Sequence, residues 1–301
     1  MTWIGLALLS AVSFGLVAVL DKRILSWHMS SVSSYYMWLA ASNIFYALVA
    51  SVLFGIPNSF DIPGILAGYF SGFSWGLALA CLFSVLMKEE VSRTIAIYHS
   101  SPVFVSLLAV IFLGESLSLG QWTGILLVVL GVFLVSIKPS PAKFLNTIRL
   151  KSLILIVLAS FMVGLALFVS KIALEKLPVS DVYVLRNVGM ATALLFFAKP
   201  KVVRDALRVL HNRNTAILIT IVLFILAPAS VVLTLLAVDQ GPVSLVATIT
   251  GTRPLFVFLF TAVLSISWIG FLDEPLQRRM ILLKLCSITL IVMGLASLRI
   301  I

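Results

Sequence analysis

Apolar residues along this chain come in long blocks rather than in alternation with polar ones. Ten blocks are each long enough to cross a bilayer as a helix, which takes about 20 mostly apolar residues. They run over 2–20, 32–54, 64–87, 91–113, 120–137, 152–175, 180–198, 214–238, 243–265 and 281–300. A transmembrane barrel would alternate polar and apolar positions, and these blocks do not. Helix breakers separate them, at Pro57, Pro63, Gly114, Pro139, Pro141, Pro178, Pro200 and the Gly241-Pro242 pair. The first block lacks a basic leader and nine more follow, so it reads as a membrane helix and not a signal peptide. The expected fold class is an all-α membrane protein with ten transmembrane helices.

The blocks repeat. Setting IAIYHSSPVFVSLLAVI (95–111) above ATITGTRPLFVFLFTAV (247–263) puts Pro102 on Pro254, a shift of 152. The same shift carries Val91-Ser92 onto Val243-Ser244, and a shift of 149 carries Gly15 onto Gly164 and Lys22 onto Lys171. The expected organisation is a first five-helix repeat over 1–138, a basic connector over 139–151 and a second repeat over 152–301. An odd number of spans per unit makes the two units insert in opposite senses, the inverted-repeat plan of many secondary transporters.

Composition fits this plan: 61% of residues are hydrophobic and 11% charged, against about 25% charged in a soluble domain. The net charge of +10 would suggest nucleic acid in a soluble protein. Here the basic residues flank apolar blocks, so the anionic lipid surface is the partner and nucleic acid is not. Assigning connectors to alternate sides puts sixteen Lys and Arg on one side and three, Lys171, Lys176 and Arg299, on the other. The positive-inside rule places the sixteen in the cytoplasm and both termini outside. A multi-pass protein of a cell membrane, of the bacterial inner-membrane type, is expected. The connector at 199–214 carries Val202, Val203, Ala206, Leu207 and Leu210 on one helical face, so a short interfacial helix and a solvated loop are both open there. Cys81 and Cys286 lie far apart in apolar stretches and read as reduced packing residues.

VSRTIAIYHSSPVFVSLLAVIFLGESLSLGQWTGILLVVLGVFLV (91–135) resembles the EamA-type branch of the drug/metabolite transporter superfamily. The resemblance rests on Pro102 and the apolar run after it, the Gly114-Glu115 turn, and the spaced pair Gly124 and Gly131. The second copy keeps Pro254 and Glu274, but Asp273 stands where the turn glycine would be. The resemblance implies a transporter of small metabolites, not an enzyme, and leaves the solute open among amino acids, sugars, nucleotide conjugates and drugs.

Two basic residues lie deeper in their blocks than any others. Arg253 lies about ten residues into the ninth, roughly 15 Å deep at 1.5 Å per residue, where an ionisable side chain is costly and marks a site or a structural pair. Its planar donor fork suits a carboxylate or phosphate. Arg186, about one turn into the seventh block, is expected within snorkelling reach of the interface; members of the resembled family carry an Arg near this point, and Asn187 beside it adds a donor. Pro102 and Pro254 remove backbone donors, which releases the carbonyls of Tyr98 and Thr250. Freed acceptors at membrane depth are tolerated where they line a cavity or are buried in protein. The candidate substrate-binding set is therefore Arg253, His99, Tyr98, Ser101, Thr250, Thr252, Arg186, Asn187 and Trp75, with helix kinks at Pro102 and Pro254. Lys22 and Lys171, in matching places, are candidates for the cavity mouth. Trp75, Phe73 and Tyr69 form an aromatic group, and Asn43 is expected to bond a neighbouring helix.

All eleven carboxylates lie at or near block ends, so the buried acid that a proton-coupled exporter of lipophilic cations needs is missing. No HExxH, GxSxG, Walker loop or metal-ligand spacing occurs, and no cofactor or metal is expected. The leading reading is a secondary transporter working by alternating access on a small polar solute with an anionic group, an amino acid among them. A broad exporter of neutral or amphipathic compounds and a flippase of an anionic lipid intermediate are the alternatives. The partners implied are the solute and the bilayer, and a homodimer is compatible with the pattern. The orientation is checked by a cysteine at Asn212: an impermeant thiol reagent applied to intact cells should leave it unlabelled until the membrane is opened, and ready labelling from outside would reverse the topology.

Overall fold

The computed structural model describes residues 2–27, 31–55, 61–86, 89, 91–136, 149–197, 203–208, 212–266 and 278–298. Every regular element among them is helical. The helices are α1 (Trp3–Trp27), α2 (Val32–Phe54), α3 (Ile62–Leu86), α4 (Val91–Tyr98), α5 (Ser101–Phe112), α6 (Leu119–Ser136), α7 (Leu150–Leu174), α8 (Val179–Phe197), α9 (Val203–Arg208), α10 (Arg213–Ile221), α11 (Ala227–Gln240), α12 (Val243–Thr250), α13 (Arg253–Ile266) and α14 (Arg278–Ser297). Among the described residues nine spans are long and apolar enough to cross a membrane, the pairs α4–α5, α10–α11 and α12–α13 each making one. A tenth apolar stretch, Leu283–Ser297 of α14, is shorter. Asp273, Glu274 and most of the 139–151 connector lie outside the described residues.

Small residues set the packing. Lipid is as apolar as leucine, so helices in it associate through close backbone approach and polar contacts. Along α3, Gly64, Gly68, Gly72 and Gly76 recur every fourth residue and lie against Leu177, Leu185, Arg186 and Ala193 at and along α8. A Cβ at Gly72 would lie 1.8 Å from the Arg186 carbonyl oxygen, and one at Gly189 would lie 2.0 Å from that of Tyr69. α6 and α14 pair in the same way: a Cβ at Gly124 or at Gly294 would lie 2.8 Å from the other's carbonyl oxygen. The core forms where α1, α3, α7, α8, α11 and α12 meet, while Leu48, Val52, Leu53 and Phe54 at the end of α2 face outward.

The first helices of the two halves cross over. Gly15 of α1 packs against Phe256 of α13, and Gly164 of α7 packs against Phe104 of α5. Gly15 and Gly164 are the residues that the 149 shift pairs, and Phe104 and Phe256 are paired by the 152 shift. α1 is tied further into the second half by the Ser10 hydroxyl, 3.1 Å from the Ser230 carbonyl and 2.6 Å from the Thr234 hydroxyl.

Four local expectations change. α1 continues past 20 to Trp27, so Asp21 lies within the helix, where the Tyr35 hydroxyl donates to its carboxylate; that bond is what makes a carboxylate tolerable there. Asn43 does not reach a neighbouring helix: its Nδ2 donates to Leu39 O at 2.7 Å on its own helix, which satisfies the amide locally. The eighth span is not a uniform helix. Pro228 has no N–H and crowds the Phe224 carbonyl four residues back, so the chain widens into a π turn at Val222–Leu226, and the Tyr46 hydroxyl donates to the Phe224 carbonyl. In the 199–214 connector α9 is helical and lies on α2, with Trp38 Nε1 donating to Ala206 O at 3.2 Å; Val202 and Leu210 are outside the described residues.

Overpacking a core costs about 1–3 kcal/mol per extra group where the neighbours can yield, and backbone cannot. Gly72→Ala should therefore lower the melting temperature of the purified protein by several degrees or abolish its folding, as should Gly189→Ala. Gly5→Ala, whose new Cβ meets only the Thr2 hydroxyl at 3.8 Å, should leave it unchanged.

Candidate functional site

Two helices are interrupted in mid-span, and they are broken alike. α4 gives way to α5 across His99 and Ser100, and α12 to α13 across Gly251 and Thr252. His99 N donates to Ile95 O and Gly251 N to Ala247 O, at 3.1 and 2.8 Å; Ser100 N donates to Ile97 O and Thr252 N to Ile249 O, both at 3.1 Å. Val103 N then donates to Ser100 O and Leu255 N to Thr252 O, at 3.1 and 2.9 Å. The side chains follow suit, Ser100 Oγ donating to Ile97 O and Thr252 Oγ1 to Ile249 O. Each bond maps onto its counterpart by the 152 shift. Pro102 and Pro254 sit in the first turn of the resumed helices, where a missing N–H leaves nothing unsatisfied. Among the described residues no donor reaches the Tyr98 or Thr250 carbonyl, the two that the prolines were expected to release.

Arg253 opens α13 and is half-buried. Its guanidinium lies 3.9 Å over the Phe14 ring and 5.5 Å from the centre of Trp75. Its Nε is buried and has no hydrogen-bond partner. Arg186 does not snorkel. It stands two turns into α8, is 4% exposed, donates from Nη1 to Ser170 Oγ at 2.7 Å and lies 4.7 Å over Trp75. The reason is the glycine contact of α3 with α8, which holds the Arg186 backbone against Gly72 and turns its side chain into the bundle, toward Trp75 and α7. Phe14 and Trp75 stack with centroids 6.4 Å apart, so one aromatic pair serves both cations. Tyr98 and His99 stand within electrostatic reach of Arg253, their own rings in edge contact at 5.4 Å. Arg253, Arg186, Trp75, Tyr98 and His99 are thus brought together.

Of the remaining candidates, Thr250, Thr252, Asn187 and Lys171 have their polar atoms engaged. Thr250 and Thr252 donate their hydroxyl protons to Val246 O and Ile249 O of their own segment, and Asn187 donates to Tyr183 O at 2.7 Å. Ser101 is buried at the α5 start. Lys171 donates to the carbonyls of Val238, Asp239 and Gly241 at 2.9–3.3 Å, a cation closing the C-terminal end of α11. Lys22 is exposed. Tyr69 and Phe73 stack on each other at 6.0 Å, and Tyr69 bonds Thr192 rather than joining Trp75.

Phe14 and Ser170, which the two arginines meet, were not singled out in the sequence. Neither carries a local signal, whereas Glu115 was visible in the Gly-Glu turn. Gly114 takes a left-handed φ of 66°, and the chain after it brings the Glu115 carboxylate onto the start of α12. There it accepts from Val243 N at 2.7 Å, Ser244 N at 3.4 Å and the Ser244 hydroxyl. A carboxylate on exposed N–H groups at a helix start is favoured by both hydrogen bonding and the helix dipole.

The sequence model of the EamA-like transporter family matches residues 1–137. None of the curated proteins compared matches the chain. A solved structure described as "Crystal structure of protein" superposes with a TM-score of 0.66 at 15% identity, covering 98% of this chain and 98% of that one. At that identity the likeness is one of fold, and it extends over both halves. With nine apolar spans among the described residues, the chain is a multi-pass membrane protein.

Glu115→Ala leaves two backbone donors and a hydroxyl without their acceptor, and should cost about 1–2 kcal/mol, read as a lower melting temperature in detergent. Glu115→Gln, which keeps one acceptor oxygen, should recover part of it.

Proposed function

We propose that this chain, whose residues 1–137 match the EamA-like transporter family, is a secondary transporter of a small polar metabolite bearing a carboxylate or other anionic group, such as an amino acid. The observation that carries this reading is Arg253: a half-buried guanidinium at a mid-span helix break, with an unpartnered Nε and the Phe14 and Trp75 rings against it. A planar fork with free donors in a low-dielectric setting is built to receive an anion. The neighbouring break at Ser100, with the freed carbonyls of Tyr98 and Thr250, offers acceptors for an ammonium or hydroxyl on the same solute.

The transport cycle is alternating access, with the two halves as inverted five-helix repeats rocking about the site between them. The matched bonding at the two breaks and the exchanged contacts of Gly15 with Phe256 and Gly164 with Phe104 support that symmetry. Sites of this kind lie where the repeats meet, and Arg253 meets Phe14 and Trp75 of the other half there.

A ligand that binds the folded state alone raises its stability by RT ln(1 + [L]/Kd), about 2.7 kcal/mol at a hundredfold excess over Kd. In a thermal-shift screen of anions, zwitterions, neutral solutes and cations, organic anions or amino acids should stabilise the wild type, and Arg253→Ala should lose the response. Stabilisation by cations or apolar drugs alone, equal in the variant, would make Arg253 structural and the solute a neutral or amphipathic one.

A further inference from the structure

We propose that Arg186 forms a second anionic subsite beside Arg253, so that the solute carries two negative charges. This rests on the reading of Arg253 as an anion site and narrows it from an anion to a dianion.

Arg186 has five N–H donors, and one hydrogen bond is made, to the neutral Ser170 hydroxyl. Arg253 has its Nε unpartnered. The two guanidiniums share Trp75, at 4.7 and 5.5 Å from the centre of its ring, and Arg186 lies in the electrostatic field of Arg253. Among the described residues no carboxylate pairs with either: Asp21 is held by Tyr35, Glu115 by the start of α12, and Asp61 by Lys176 at 3.5 Å. Two like charges inside a membrane protein without counter-ions are costly. Ring faces soften that cost without cancelling the charge. One monoanion would leave the site positive, whereas two negative charges neutralise it. Because both cations rest on a single indole, the two acidic groups belong to one small molecule: a short dicarboxylate or a phosphate monoester.

The charges come from one half of the protein and the rings from the other. The second half repeats Val32-Ser33 and Tyr36 as Val179-Ser180 and Tyr183, which puts Leu39 in the place of Arg186, and the 152 shift puts Ser101 in the place of Arg253. Both cations therefore belong to the second repeat, against Phe14 and Trp75 of the first. The dianion is held by charges from one half of the chain only.

The test measures Kd for a four-carbon dicarboxylate, the matching monocarboxylate and a three-carbon phosphate monoester on the full-length purified protein, with R186Q, R186K and R253Q. At least one dianion should bind the wild type ten times or more tighter than the monocarboxylate, and which one does identifies the acidic group. R186Q should erase that preference while keeping weak monocarboxylate binding, R186K should retain part of it, and R253Q should weaken every anion. Equal binding of mono- and dianions by the wild type, or an unchanged ratio in folded R186Q, overturns the second subsite and leaves the single-anion reading intact. Absence of binding by every anion overturns that reading as well. If R186Q fails to fold, the wild-type ratio and R186K decide.

Discussion

The close approach of α3 to α8 is the constraint on which the rest of the site depends. Four glycines at every fourth position strip one face of α3 of side chains, and the backbone of α8 settles against it, with the Arg186 carbonyl beside Gly72. No hydrophobic drive holds helices together in lipid, so this contact area and the polar bonds around it must do so. Trp75, three residues beyond Gly72, is thereby set under Arg186, and the stack of Trp75 on Phe14 extends the platform to Arg253. Widening the α3–α8 contact by one methyl group would move a ring that both cations use.

The platform explains how one buried and one half-buried cation persist with no acid paired to them among the described residues. Guanidinium is weakly hydrated and planar, so it loses less than an ammonium would on leaving water and can lie flat on a ring. An aromatic face attracts the cation but offers no oxygen to its N–H donors. The donors therefore stay available, where a carboxylate partner would have consumed them. Two of the protein's own acids are engaged elsewhere: Glu115 caps α12 and Asp21 takes the Tyr35 hydroxyl. Keeping acids away from the arginines is as much a part of the site as placing the arginines there.

Much of this was legible in the sequence, and the rest was not, for definite reasons. Apolar blocks gave the spans because backbone in lipid has to be helical, and the prolines gave the interruptions because they cannot donate. Pro102 and Pro254 in register revealed the matching breaks before their bonding was seen. Arg253 was legible because depth in a span follows from counting residues. The direction of Arg186 was not, since a residue two turns from an end points to water or inward according to its neighbours, here Gly72 and Ser170. Phe14 was hidden for the same reason: one phenylalanine in an apolar helix looks like any other until another helix is laid against it. The glycine ladder of α3 and the capping role of Glu115 were written in plain spacing, but each acts on a helix more than a hundred residues away. The widening at Val222–Leu226 follows from Pro228, an unused breaker inside a block long enough to conceal it.

The exchanged contacts of α1 have a bearing on how the chain is made. α1 is synthesised well before the surfaces that complete it, Phe256 and the Ser230–Thr234 stretch, the latter 220 residues further along the chain. Until those surfaces are made, the notch at Gly15 and the hydroxyl of Ser10 are without their native partners. The native partners arrive only when the second half threads in beside them. Assembly is thus an interlocking of two half-built bundles and not the docking of two finished ones. α1 has to wait for α11 and α13.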